Sequence, residues 1–352
     1  MTTLILPVAG KSSRFPGMRP KWLLTMPDGK IMLEKAVERL SLNNFSRIVI
    51  PCLKEHLETY ASKERIIESF TNATGRVPEI KVLDEPTFSQ AETIAKTIAH
   101  AEIEGAIFIK DCDNMFECNI DEAANLVCTI NLNQVSLIDA KNKSYVEVDS
   151  LGIISNIVEK EVISNLFCCG GYGFLSAQQF YTTYSKINSS NEIYVSHIIY
   201  KMLLDGIEFK KIDANNYVDW GTLREYRDFC HKHITVFCDI DGVLLKNGSK
   251  FAKNGWQTHG IAENIDSLKK LQDRGVLYLI LTSSRPESEL EWVREVLNDC
   301  ELKFDRHLFG LPHNRRILIN DYSATNPYPS AISINLERDS NSLRNLLSHL
   351  DI

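Results

Sequence analysis

The chain has 352 residues, 44% of them hydrophobic and 24% charged, with a formal net charge of −7. At about 100–200 residues per domain this length accommodates two cores, and the composition is that of a globular chain rather than a disordered or fibrous one. The acidic balance excludes a broad nucleic-acid-binding face but leaves room for a local basic pocket that takes phosphate. No apolar run reaches the about 20 residues of a membrane helix.

Residues 4–9 form an apolar run that predicts a buried strand. It breaks at Gly10 into a polar loop carrying Lys11, Ser12, Ser13, Arg14, Arg19 and Lys21. A glycine after a first strand lets the backbone approach a ligand. Loop amides with a guanidinium and an ammonium then suit a triphosphate; a solvated turn with surface cations is the plainer alternative. Helices are predicted over residues 31–42, 55–70 and 89–101, and strands over 47–53, 79–83 and 106–112. Strand and helix alternate with short connections, so the expectation is α/β, a mostly parallel sheet covered by helices on both faces. Ligands collect beyond the carboxyl ends of such strands, which puts Gly10, Asp84 and Asp113 in one cleft.

Pro7, Ala9-Gly10, Ser13-Arg14-Phe15, Pro20-Lys21 and Leu23-Leu24 together resemble the signature of the sugar-phosphate nucleotidyltransferases, including their phosphocholine cytidylyltransferase branch, over roughly residues 1–225. The resemblance implies a Rossmann-like domain over residues 1–230. Ala9, Gly10, Ser12 and Ser13 would surround the nucleotide, with Arg14 and Lys21 as catalytic ligands of the triphosphate; the family usually has a glycine where Ser12 stands. Asp113-Asn114 resembles the family's Gly-Asp-Asn, which makes Asp113 a Mg²⁺ ligand and Asp111 the second choice. Tyr217 to Thr222 resembles its Asp-x-Gly-Thr element and points to Asp219 as the second ligand. Two carboxylates with Mg²⁺ offset the repulsion between a nucleophilic phosphate and an NTP α-phosphate. Phe88 to Thr93 resembles the base-contacting turn, implicating Gln90, although Ser89 and Glu92 also read as a helix capping box. Glu159-Lys160 resembles the family's acceptor-binding pair, with an exposed ion pair as the alternative. The glycine-broken strand 167–174, with Gly171, falls where the family's acceptor site lies.

A charged connection over residues 223–233 leads to a second parallel-sheet pattern, residues 235–352. An apolar strand at 236–238 ends in Asp239-Ile240-Asp241-Gly242-Val243, a strand at 277–281 ends in Thr282-Ser283-Ser284-Arg285, and a strand at 316–319 ends in Asn320-Asp321. In order, these resemble the first, second and fourth motifs of the haloacid dehalogenase superfamily and imply its HAD-like Rossmannoid fold. The resemblance makes Asp239 nucleophile and Mg²⁺ ligand, Asp241 general acid/base, Thr282 and Ser283 phosphate-binding and Asp321 a Mg²⁺ ligand. The family's lysine is replaced by Leu311 in Gly310-Leu311-Pro312, so the cation falls to Arg315, Arg316 or Lys303, or the site is impaired. The spacings leave no room for a cap domain; such a site is open to large substrates or covered by the neighbouring transferase domain.

His259, His307 and His313, Trp220 and Trp256, and the Asn326–Pro329 turn read as structural. The nine scattered cysteines read as reduced core residues. Residues 1–3 run straight into a strand rather than a signal-peptide layout. The expectation is a cytoplasmic, Mg²⁺-dependent bifunctional enzyme, with an oligomer possible. It transfers a nucleotidyl group from an NTP to a sugar or polyol phosphate, releasing pyrophosphate, and hydrolyses a phosphomonoester, as in the synthesis of activated precursors for a surface polysaccharide. No nucleic-acid or membrane partner is expected. The alternatives are a transferase with an impaired second domain, and a regulatory nucleotide-binding scaffold.

Overall fold

A computed structural model of the chain describes residues 2–135, 139–187, 192–321 and 331–350; the turn expected at Asn326–Pro329 lies outside them. The chain divides into two compact units, Met1–Arg227 and Asp228–Ile352.

The first unit runs β1 (Thr2–Ile5), α1 (Met32–Val37), β2 (Arg47–Leu53), α2 (Lys54–Thr59), α3 (Lys63–Thr74), β3 (Glu79–Leu83), α4 (Gln90–His100), β4 (Ala106–Lys110), β5 (Asn114–Glu117) and β6 (Leu126–Asn131). It continues through β7 (Ser144–Val148), β8 (Ile154–Glu159), β9 (Leu166–Phe174), α5 (Ala177–Lys186), α6 (Val195–Leu204), β10 (Lys210–Asp213) and β11 (Asn215–Asp219). Its main sheet has the order β10-β6-β9-β4-β1-β2-β3. The pairs among β4, β1, β2 and β3 are parallel, as is β10 with β6. Strand β9 lies antiparallel between β4 and β6, so the sheet is mixed, though mostly parallel.

Period-two alternation sends neighbouring residues to opposite faces, and here each face has its own core. Leu4, Ile48, Ile50, Phe108 and Cys169 pack on one side, while Ile5, Val49, Ile107, Ile109 and Cys168 pack on the other. Helix α4 seals the second core with Ala91, Ile94, Ala95 and Ile98, an apolar stripe at helical spacing. Ser89 caps it by accepting from the Glu92 amide at 3.1 Å, while the Glu92 carboxylate reaches one residue further back, to the Phe88 amide, instead of closing a box on Ser89.

Several elements differ from expectation for local reasons. The first strand ends at Ile5 because Pro7 has no amide to donate, although Leu6 and Val8 still bond to Val49 and Pro51. The helix expected over 55–70 is two, since Ser62 starts a new one by accepting from Arg65. The helix expected from 31 stops at Val37.

After α7 (Leu223–Lys232), the second unit comprises β12 (Ile234–Asp239), α8 (Ala262–Asp273), β13 (Leu277–Thr282), α9 (Leu290–Asp299), β14 (Arg306–Leu308) and α10 (Leu343–Ser348). The three strands are parallel in the order β12-β13-β14. Leu279 and Leu281 pack against Ile265, Leu268, Val293 and Leu297 from α8 and α9. The strand expected over 316–319 does not form. Its backbone has no ladder partner among the described residues, and Ile317 and Ile319 are 75% and 87% exposed.

Candidate active site

The loop after β1 explains its departure from the glycine-rich pattern. Ser12 has φ 51°, a left-handed conformation that favours glycine. It costs a serine something, and the Ser12 hydroxyl offsets part of that by accepting from the Lys21 amide at 3.1 Å. The same bond closes the loop so that Lys21 sits beside the strand ends. Gly10 and Ser13 are exposed at its rim, and a Cβ on Gly10 would meet nothing within 4 Å. Ala9 is buried beneath. Arg19 is turned away, onto the Thr25 hydroxyl at 2.7 Å.

Two carboxylates far apart in sequence meet across a separate two-stranded ribbon. Strands β11 and β5 pair antiparallel with Asp219 opposite Asn114, and the Trp220 amide donates to the Asp113 carbonyl at 2.8 Å. Around Gly221, a Cβ would lie 3.1 Å from Asp219 Oδ1, 3.5 Å from Asp113 Oδ2 and 3.6 Å from Arg14 Nη1. Asp113, Asp219 and Arg14 therefore face one small space in front of Gly221. Lys21 Nζ is 2.5 Å from Asp113 Oδ2. Burial works against the Asp113 charge, but Lys21, with Lys143 and Arg14, overrides it and holds the carboxyl well below the usual range. Two hard oxygen donors facing one space are what Mg²⁺ takes when substrate phosphates complete its shell, so these residues fit that ion; among the described residues no group of three or more His, Cys, Asp or Glu stands together.

Asp84 does not join them. It is exposed after the edge strand β3, two strands from β1, and its side chain has no hydrogen-bond partner among the described residues. Asp111 is closer: the Gln90 side-chain amide donates to it, and burial, then the neighbouring Asp113 charge, push its carboxyl up to about 6. The turn from Asp111 to Asn114 rests on Lys110, which is fully buried and donates to the Asp111 carbonyl at 2.5 Å and to Asn114 Oδ1 at 2.6 Å.

Gly170, rather than Gly171, is the glycine under this turn. It has φ 89°, and a Cβ there would lie 2.5 Å from Asp111 Oδ2 and 2.8 Å from Asn114 Nδ2. Gly171 faces inward, against Phe116 and Cys128. Gly170→Ala is expected to cost about 1–3 kcal/mol of stability through left-handed strain, read as a lower denaturant midpoint. An unchanged midpoint would contradict the crowding under Asp111.

The β7–β8 hairpin carries the remaining residues. Glu159 accepts from the hydroxyls of Ser144 and Ser196, the latter at 2.6 Å. Lys160 has φ 58° and is exposed; its ammonium bonds the Tyr194 hydroxyl and lies 4.2 Å from the ring centre. Glu159 and Lys160 therefore do not pair with each other. Lys143, which no motif singled out, bonds Asp219 and lies 2.8 Å from the Tyr217 hydroxyl.

In the second unit the β12–β13 register sets Asp239 beside Thr282. Arg316 Nη1 donates to Asp239 Oδ1 at 3.0 Å and to Thr282 Oγ1 at 3.3 Å. Arg315 is exposed, with no side-chain partner among the described residues, and Asp321 is exposed further along the same irregular segment. Asp241 is enclosed by donors. Arg285 Nε and Nη2 reach it at 2.8–3.2 Å, Ser283 Oγ at 3.2 Å and the Gly248 amide at 3.3 Å. Arg285 itself is fully buried between Trp256 and Trp292, 5.3 and 5.1 Å from their ring centres. The Asp239 carboxylate has the Arg316 guanidinium for a neighbour.

The fold is nucleotidyltransferase-like over about two thirds of the chain. A nucleoside-diphosphate-sugar pyrophosphorylase from Vibrio cholerae superposes with TM-score 0.55 at 19% identity, covering 64% of this chain and 99% of that one. The inositol-1-phosphate CTP transferase of T. maritima gives TM-score 0.52 at 17% identity, over 63% of this chain and 90% of that one. A UDP-glucose pyrophosphorylase complexed with UDP-glucose gives 0.51 at 17%, over 65% and 97%. No family model and no curated protein matches the sequence. Among the described residues no helix is long and apolar enough to cross a membrane.

Proposed function

We propose that the first unit transfers a nucleotidyl group from an NTP to a sugar or polyol phosphate, releasing pyrophosphate. The observation that carries this reading is the meeting of Asp113, Asp219 and Arg14 around Gly221, with Lys21 bonded to Asp113. The likeness in fold to a sugar-nucleotide pyrophosphorylase and an inositol-1-phosphate CTP transferase supports it.

In this reading Ala9, Gly10, Ser12 and Ser13 line the nucleotide's phosphates through the loop backbone, and Gln90 faces the base. Arg14 and Lys21 stabilise charge on the phosphates as the acceptor's oxygen attacks the α-phosphorus and pyrophosphate leaves. Asp113 and Asp219 would hold Mg²⁺, which would supply charge neutralisation at the phosphates. Glu159 faces the acceptor's hydroxyls, held in one orientation by Ser144 and Ser196. The test crosses the four common NTPs with inositol 1-phosphate, glucose 1-phosphate, glycerol 3-phosphate and phosphocholine, reading pyrophosphate. Release with one pair, abolished by EDTA, is expected; silence across the whole panel would remove the proposal.

For the second unit we propose a HAD-type site that releases phosphate from a phosphomonoester. Asp239 is the nucleophile, Thr282 and Ser283 hold phosphate, and Arg316 offsets its charge in place of the family's lysine. A second reading, phosphate binding without turnover, is favoured by Asp241. Its carboxylate oxygens already accept from Arg285, Ser283 and Gly248, so Asp241 is bound into the unit's own structure. An active pair of sites in a capsule-precursor pathway would strip one phosphate from a bisphosphorylated compound and activate the other.

A further inference from the structure

An acceptor phosphate must approach an NTP between two aspartates, so the acceptor side of the cleft needs a cation of its own. Two lysines stand at the same end of the β7–β8 hairpin: Ser144 pairs with Glu159, and the Lys160 amide donates to the Lys143 carbonyl at 3.0 Å. We propose that Lys143, rather than Lys160, is the residue that receives the acceptor's phosphate. The proposal rests on the nucleotidyl-transfer reading of the first unit and adds a binding residue to it.

The two side chains go opposite ways. The left-handed backbone of Lys160 turns its ammonium to Tyr194, whose hydroxyl donates in turn to Glu192 at 2.5 Å, at the exposed face of the hairpin. Lys143 goes inward. Its side chain is 16% exposed, its ammonium is bonded to Asp219, and it stands 5.4 Å from the centre of the Tyr217 ring.

An ammonium has three donors, and among the described residues two of those on Lys143 are used, by Asp219 and Tyr217. The third is open to a phosphate oxygen while the other two hold the group in place. A charge-assisted bond made in a poorly solvated site is worth more than one made by a surface lysine, which is the physical reason to prefer Lys143.

The test uses the full chain and the NTP and acceptor pair that releases pyrophosphate. Lys143→Met is expected to raise the KM for the phosphorylated acceptor by about 10²-fold, with the KM for NTP within about twofold. Lys143→Arg, which keeps the charge, recovers part of the loss, and Lys160→Met changes the acceptor KM by no more than about threefold. Calorimetric titration with the same acceptor should show the same loss of affinity in Lys143→Met. If Lys143→Met instead lowers kcat and raises the Mg²⁺ requirement with the acceptor KM unchanged, the lysine only positions Asp219 and the proposal is overturned. A large rise in acceptor KM from Lys160→Met alone overturns it too. If the unsubstituted protein releases no pyrophosphate with any pair, the transfer reading itself falls, and this assignment with it.

Discussion

Lys21→Ala is expected to lower pyrophosphate release by about 10²–10³-fold while leaving any phosphate release by the second unit unchanged. The Lys21 ammonium lies 2.5 Å from Asp113, and its backbone amide fastens the loop through Ser12. Alanine keeps the backbone bond, so the loop stays closed and only the charge is lost. Asp219→Ala is expected to give a similar loss from the other side of Gly221, by removing one of the two carboxylates. Thermal denaturation of both variants near the unsubstituted Tm would confine the effect to the site. Near-normal pyrophosphate release from either variant would sink the assignment.

Asp239→Asn is expected to abolish phosphate release, by at least about 10³-fold, with pyrophosphate release intact. The substitution keeps the volume and replaces a nucleophilic carboxylate with an amide. Arg316→Ala should also lower phosphate release, because its guanidinium bridges Asp239 and Thr282. Arg315→Ala should have little effect, since its side chain meets neither. Phosphate release that survives Asp239→Asn across a sugar-phosphate panel would come from elsewhere. No release from the unsubstituted protein with any phosphomonoester would favour phosphate binding without turnover.

The parts of the cleft that were legible in the sequence are those fixed by local order. Short motifs put Asp113 and Asp219 at strand ends and Lys21 in the loop that folds back beside them, and the ladder between β5 and β11 does the rest. Lys143 was not legible because its place depends on the hairpin register opposite Lys160, and a lysine after Lys141 and Asn142 looks like an ordinary surface charge. The antiparallel insertion of β9 was hidden for a similar reason: a strand buried on both faces has the same apolar run whichever way it points. Residues 316–319 misled in the opposite direction. Arg-Ile-Leu-Ile has strong strand propensity, yet propensity makes a strand only where a neighbouring edge accepts its hydrogen bonds. Arg285 stood in a recognised motif, but its burial between Trp256 and Trp292 depends on a loop that returns from 29 residues earlier to meet the helix just after it.

The hairpin of β7 and β8 joins the main sheet only at its margins among the described residues, through Tyr145 with Phe167 and a bridge from Ile153 to Lys210. The carboxylates Asp113 and Asp219, by contrast, have their spacing set by main-chain bonds in a ribbon the hairpin does not enter. One part is a gauge block, and the other is an interchangeable jaw. Substitutions along residues 144–160, beyond Lys143 and its bond to Asp219, reshape what the jaw grips without altering the gauge, so a lineage built on this scaffold would change acceptors by altering one short hairpin while the ribbon stayed fixed.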